Sequence, residues 1–207
     1  MRKRSVRRIA AVILLPALFA IYVYRVVEVN TSVAKIRSER YSMNEAVALE
    51  GAFFESRSME ETDNYEVKVV GARRMSPSEY MRAVDINVDQ PDSPGEEEAI
   101  VCLEVAINNK GDGAGSFNTL FAILAAEDGS QYLVPDTELW SRANPGIESG
   151  QYVVSVRPHT EYVAKIPYAI NSSSSERYAA RISANEFCWA ASDFPVKKVV
   201  KVSIEEE

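Results

Sequence analysis

Histidine is almost missing from this sequence: His159 is the only one among 207 residues. Cysteine is nearly as scarce, with Cys102 and Cys188 alone. No Gly-x-Ser-x-Gly elbow, phosphate-cradling glycine loop, His-Glu-x-x-His or Cys-x-x-Cys occurs. A serine nucleophile needs a positioned base, and His159, which follows Pro158 at a turn, belongs to no motif that would position one. The chain is therefore expected not to be an enzyme and to need no cofactor. Two cysteines are too few for a disulfide framework and lack metal-ligand spacing. In an oxidising compartment Cys102 and Cys188 could still pair, and closing so long a loop would add about 4 kcal/mol in the entropic account. Two free or buried thiols are the favoured expectation.

Acidic residues are also lacking, but only at one end. None precedes Glu28, whereas six of the 23 basic residues lie at or before Arg25. The formal charge of −7 thus hides a remainder with 17 basic and 30 acidic residues, a balance of −13. So acidic a body repels phosphate backbones, which excludes nucleic acid as a partner class.

The basic end has its own logic. Arg2, Lys3, Arg4, Arg7 and Arg8 precede a run without charge from Ile9 to Tyr24, and Val26 and Val27 extend it past Arg25. A membrane-spanning helix needs roughly 17–25 residues. With Arg25 snorkelling to the head groups, 9–27 suffices. Tyr22 and Tyr24 stand where interfacial aromatics are expected. A cleaved signal peptide shares the basic start and apolar middle, but no small-x-small site follows the run. No cysteine near its end would take a lipid. The expectation is a cytoplasmic tail over 1–8, a transmembrane anchor over 9–27, a stalk or linker over 28–40, and an extracytoplasmic domain over 41–207, with the positive flank inside.

Beyond Tyr41 the dominant period is two, the mark of half-buried strands. Tyr65, Val67 and Val69 alternate with charged residues. So do Val101, Leu103, Val105 and Ile107 with Cys102, Glu104 and Ala106, and Val200, Val202 and Ile204 with Lys201 and Ser203. Further strands are predicted over 117–124, 162–166 and 178–183. Asn108 to Gly113 reads as a loop, Asp128-Gly129 as a hairpin, and Ser76-Pro77-Ser78-Glu79 as a capped helix start. Many short strands with polar turns and one short helix predict an all-β, antiparallel two-sheet sandwich.

Three stretches also resemble a group of exported bacterial domains, immunoglobulin-like sandwiches related to the mycobacterial immunoprotective extracellular antigen. Val101 to Asp112 is similar to the group's apolar strand followed by Asn-x-Gly. Phe117 to Tyr132 is similar to its F-x-x-x-F-x-L-x-x-x-D-G-x-x-Y stretch. Arg157-Pro158-His159-Thr160-Glu161 with Ile166-Pro167 is similar to its L-x-P-G-E…F-x-V-P stretch. Arg157 stands for the apolar residue there and His159 for the glycine. The resemblance implies an immunoglobulin-like fold and an envelope location, and it implies no activity.

Three groups of residues are candidates for a site. The stretch from Pro135 to Tyr152 shows no periodicity and carries Trp140, Arg142 and Tyr152, residue types enriched at binding hot spots. Either it presents a binding surface, or Leu139, Trp140 and Ile147 fold down to cap one end of the sandwich. Asp89, Asp92, Glu96, Glu97 and Glu98 cluster around prolines and could hold calcium through oxygen ligands, although their spacing fits no calcium loop. Met43, Met59, Met75 and Met81 are irregularly spaced without histidine and are expected to fill the core. These features point to a membrane-tethered binding or interaction module whose partner is a protein, peptide or cell-wall component of the envelope. The alternatives are a structural accessory subunit of a membrane complex and, with less support, a hydrolase.

Overall fold

The period-two run from Val101 to Ile107 lies at the centre of the larger of two compact units, Arg37–Glu207. It belongs to strand β4 (Glu97–Asn109), in which Val101, Leu103, Val105 and Ile107 are fully buried. The computed structural model describes residues 16, 18–28, 36–56, 60–84, 97–127, 129, 131–147, 152–171 and 187–206. Strand β4 pairs antiparallel with β3 (Tyr65–Met75) on one side and β9 (Thr160–Asn171) on the other. β12 (Glu205–Glu206) and β2 (Val47–Ala48) add to β3 and complete one sheet. The first sheet, which faces this second one, runs β1 (Arg37–Ser42), β11 (Val196–Val202), β10 (Phe187–Ser192), β6 (Leu124–Ala126), β7 (Tyr132–Leu133). A small ribbon of β5 (Phe117–Asn118) and β8 (Val153–Val154) lies beside them. The fold is a β-sandwich.

Between the sheets, Trp189, Phe187, Phe117, Leu124 and Val200 pack against the apolar face of β4 and β9. Polar groups in this interior are paired, as burial demands. The Trp189 indole N–H donates to the Tyr168 hydroxyl (3.1 Å), which donates to the Ala122 carbonyl (2.6 Å). That chain ties a strand of each sheet to the β5–β6 connection.

The Asn-x-Gly element after β4 has a structural cause. Asn109 is buried, donates to the carbonyls of Val156 (2.8 Å) and Gly113 (2.9 Å), and accepts from the Gly111 N–H (3.0 Å). At Gly111 a Cβ would lie 2.7 Å from the Asn64 side-chain nitrogen, so only glycine fits. Ser76 caps helix α2 (Pro77–Ala83) with a complete capping box closed by Glu79, as its sequence predicts.

Three expectations need correction. The stalk does not extend to residue 40: the second of the chain's two compact units runs Arg37–Glu207, and Arg37 to Arg40 belong to β1. That strand has no apolar period: it is held by parallel pairing with β11 and by Tyr41 packed against the core, and a buried lysine meets its one inward carboxylate. Lys198, buried at 2% exposure, lies 3.6 Å from Glu39 of β1 and 3.1 Å from Glu50, and its ammonium also donates to the Ala48 carbonyl. The predicted strand over 117–124 is broken. Asn118 accepts the Leu120 N–H (3.0 Å) and turns the chain, so Phe121 is exposed while Ala122 and Leu124 point inward. Lastly, a second helix in the domain, α3 (Thr137–Ala143), occupies the stretch without periodicity. At seven residues it is too short to show a 3.6-residue repeat. Cys102 and Cys188 are not bridged, and that overturns nothing. They stand on different sheets, with Cys102 buried under α2 and α3.

Helix α1, described over 18–28, belongs to the other unit, and its Leu18, Phe19, Ile21, Tyr22 and Tyr24 are exposed. No helix among the described residues is long and apolar enough to cross a membrane. Residues 9–15 and 17 of the expected span lie outside the described residues, as does the predicted strand over 178–183.

Candidate functional site

The residues singled out by sequence do not form one site. Trp140 is 1% exposed in the main core and meets Tyr152 edge-on, with ring centroids 5.4 Å apart. Its helix is pinned by Asp136, which caps it by accepting from Leu139 N–H (2.9 Å). Asn144 at the other end pairs with both backbone groups of Lys165 on the edge strand β9 (3.0 and 2.8 Å). The α3 segment therefore closes an edge and caps the core, and Trp140 presents nothing to a partner. Arg142 is ion-paired to Glu138 (2.5 Å) within the helix.

Asp89, Asp92 and Glu96 lie outside the described residues, and of Glu97 and Glu98 only the strand backbone is described. Among the described residues no three His, Cys, Asp or Glu side chains gather as a metal site would need. His159 sits on an exposed turn with a backbone φ of 56°, and its Nε2 lies 2.9 Å from Asp112. It thus occupies the left-handed conformation that glycine adopts most readily. Among the described residues no nucleophile is bonded to it; its partner is a carboxylate.

The outer faces of the two sheets differ. The second sheet's outer face is covered: Met75, Ile100 and Cys102 pack under Tyr80 and Met81 of α2 and Leu139 of α3. The Tyr80 hydroxyl donates to the Leu139 carbonyl (3.2 Å) and joins the two helices. Burial pushes the Cys102 thiol up to about 12, which makes it inert. The first sheet's outer face carries no helix among the described residues. It holds a cleft of about 450 Å³.

Ile123, just before β6, joins Ala125, Cys188, Ala190 and Val199, from the outward positions of β6, β10 and β11, to form the floor. Arg40 of β1 reaches Glu127 beyond β6 (2.6 Å), bridging the first and fourth strands of the sheet. Lys197 pairs with Asp193 (3.3 Å) at the β10–β11 turn. Tyr132, 68% exposed, stands at the β7 side beside Gln131. Such a face can take an apolar body and meet both signs of charge at its borders.

Sequence reasoning passed over this cleft, yet a signal was present. A sheet with one solvated face alternates apolar-in with polar-out. Outward positions 125, 188, 190 and 199 instead carry Ala, Cys, Ala and Val. That departure, broken on β11 only by Lys197 and Lys201, sets this face apart from an ordinary solvated one.

The family described as a domain of unknown function, DUF5028, matches residues 38–198. Among solved structures, the chain is similar to the yjhA protein of Bacillus subtilis, with 11% identity, TM-score 0.39, and coverage of 79% of this chain and 99% of that one. It is also similar to an uncharacterized β-sandwich protein of Clostridium difficile 630, with 9% identity, TM-score 0.41, and coverage of 82% and 97%. A putative lipoprotein of Bacillus subtilis, ycdA, matches at 11% identity and TM-score 0.37, over 70% of this chain and 38% of that one. No curated protein matches.

Proposed function

From the premise that the chain belongs to the DUF5028 family of domains of unknown function, we propose that it is a membrane-tethered binding module working outside the cytoplasm, without catalytic activity of its own. The observation that carries this reading is the difference between the two outer faces of the sandwich. One is sealed by α2 and α3, and the other holds a 450 Å³ cleft with an apolar floor and charged borders. Binding sites on rigid β scaffolds take this form.

Three further observations support the tether and the fold type. The helix α1 exposes apolar side chains on every side, as helices meant for lipid do. The basic residues before it favour a cytoplasmic start. The neighbour order β11–β10–β6–β7, with β4 against β9 in the other sheet, follows that of an immunoglobulin-like sandwich, in keeping with the resemblance to the exported antigen group. The apolar α1 also favours a second reading, an accessory subunit that meets a membrane complex through its helix.

A photo-crosslinking side chain placed at Tyr132 in intact cells tests the module. The control is the same group at Glu138, 72% exposed on the covered side. An adduct from position 132 and none from 138 is expected. Adducts from neither position, or from 138 alone, would overturn the reading. A stoichiometric adduct made only from α1 would favour the accessory subunit.

A further inference from the structure

Strand β1 enters the sandwich at Arg37, paired with Val196, at the end of the domain where β10 turns into β11. That turn carries Phe194, 45% exposed, followed by exposed Pro195 and half-buried Val196. Phe53 stacks on Phe194 with ring centroids 6.2 Å apart. Their backbones hold the two rings in place. The Phe53 N–H donates to the Phe194 carbonyl (2.7 Å), and the Phe53 carbonyl accepts from the N–H groups of Phe194 (2.9 Å) and Asp193 (3.0 Å). A single exposed ring is ordinary on a protein surface. A fixed aromatic pair flanked by proline and valine, on the end where the chain arrives from α1, is not.

Resting on the membrane-tethered reading above, we propose that this end of the domain lies on the lipid surface, with Phe53 and Phe194 set into the zone between head groups and acyl chains. Nine residue steps separate Glu28, in α1, from Arg37, and a chain of that length reaches at most about 30–32 Å. With α1 in the bilayer, the start of β1 is confined near the surface, and the aromatic end stands beside that start. Apolar rings buried to this depth anchor peripheral elements to membranes. The local charges select the kind of lipid. Arg37 is paired with Glu39 (2.9 Å), Lys197 is paired with Asp193 (3.3 Å), and Glu55 is exposed two residues after Phe53. These charges balance or lean acidic, whereas anionic lipid is met by clusters of free Lys and Arg. The occupant is therefore zwitterionic lipid, and the contact is apolar.

Tryptophan serves as the probe. The chain's two tryptophans, Trp140 and Trp189, are buried, so a third one at the surface reports its own surroundings. The full chain is reconstituted in phosphatidylcholine vesicles with or without bromine on the upper acyl chains, a short-range quencher. Phe194→Trp should lose about half of its added emission, as a ring in the interfacial zone would. The control is Tyr132→Trp. Its register through β6 and β10 falls at Lys201, five residues from Val196 along β11, or about 17 Å, so its added emission should survive. A wild-type urea midpoint qualifies the Phe194→Trp variant; should the midpoint fall, Phe53→Trp is measured in its place. Salt at about 1 M, which screens surface charges, should leave the quenching intact. No quenching at 194, equal quenching at 194 and 132, or quenching that needs anionic lipid or vanishes in salt overturns the proposal while sparing the tether. Loss of the wild-type chain from the vesicles on carbonate extraction would overturn the tether and the proposal with it.

Discussion

Truncating Trp140 separates a capping residue from a binding residue. The indole is 1% exposed, packed in the main core and edge-on to Tyr152 at 5.4 Å. Emptying such a site costs about 3–5 kcal/mol for Trp→Ala, and the lost aromatic pair falls within that range or adds about 0.5–1.5 kcal/mol. One term has the opposite sign. The indole N–H is buried without a partner among the described residues, and removing an unsatisfied donor returns about 1–3 kcal/mol. Trp140→Ala should therefore destabilise by about 3 kcal/mol. Trp140→Phe, which keeps an aromatic ring and deletes the orphaned donor, should stay within about 1 kcal/mol of wild type. Urea denaturation of the full chain in detergent, followed by circular dichroism, measures both as midpoint shifts at constant slope. Equal losses for Ala and Phe would refute the role of the orphaned N–H, and a Trp140→Ala midpoint at the wild-type value would refute the capping role itself.

The same denaturation assay checks three further expectations. His159→Gly relieves a left-handed backbone at φ 56° and gives up only an exposed contact with Asp112, so stability should rise by roughly 0.5–1 kcal/mol; a drop would contradict the strain argument. Gly111→Ala drives a Cβ to 2.7 Å from the Asn64 side chain and should cost about 1–3 kcal/mol, so an unchanged midpoint would refute the close-approach account. Burial raises the Glu60 carboxyl above its ordinary 4.5, although the Phe54 and Asn118 N–H groups bond to it. Its contribution is thus greatest below 4.5 and is lost as pH rises through the raised value. The stability of the wild type relative to Glu60→Gln should fall from pH 4.5 to 7, and a relative rise would reverse the sign.

What was legible in the sequence followed period and caps. Val101 to Ile107, Val200 to Val202 and the Ser76–Glu79 box sit where alternation and capping chemistry put them, because each is decided by residues close in the chain. The misreadings came from partners far away in sequence. Strand β1 looks like a polar tether until Lys198, distant along the chain, meets Glu39. Phe117 to Ile123 alternates like a strand, yet the Asn118 side chain and the ribbon with β8 turn it. Trp140 and Tyr152 have the composition of a hot spot, and only the fold reveals that they face each other inside the core. The cleft was hidden for the same reason. Ala125, Cys188, Ala190 and Val199 lie on three strands, and no single stretch of sequence brings them together.

The central claim is that the first sheet's outer face is the working surface, and Ala125→Arg tests it most directly. This outward position on β6 tolerates a long side chain without touching the core, while the guanidinium fills the cleft floor. The account predicts a urea midpoint unchanged within about 0.5 kcal/mol, as for surface substitutions, together with loss of the adduct formed in cells from position 132. An undiminished adduct from a folded Ala125→Arg chain would contradict it.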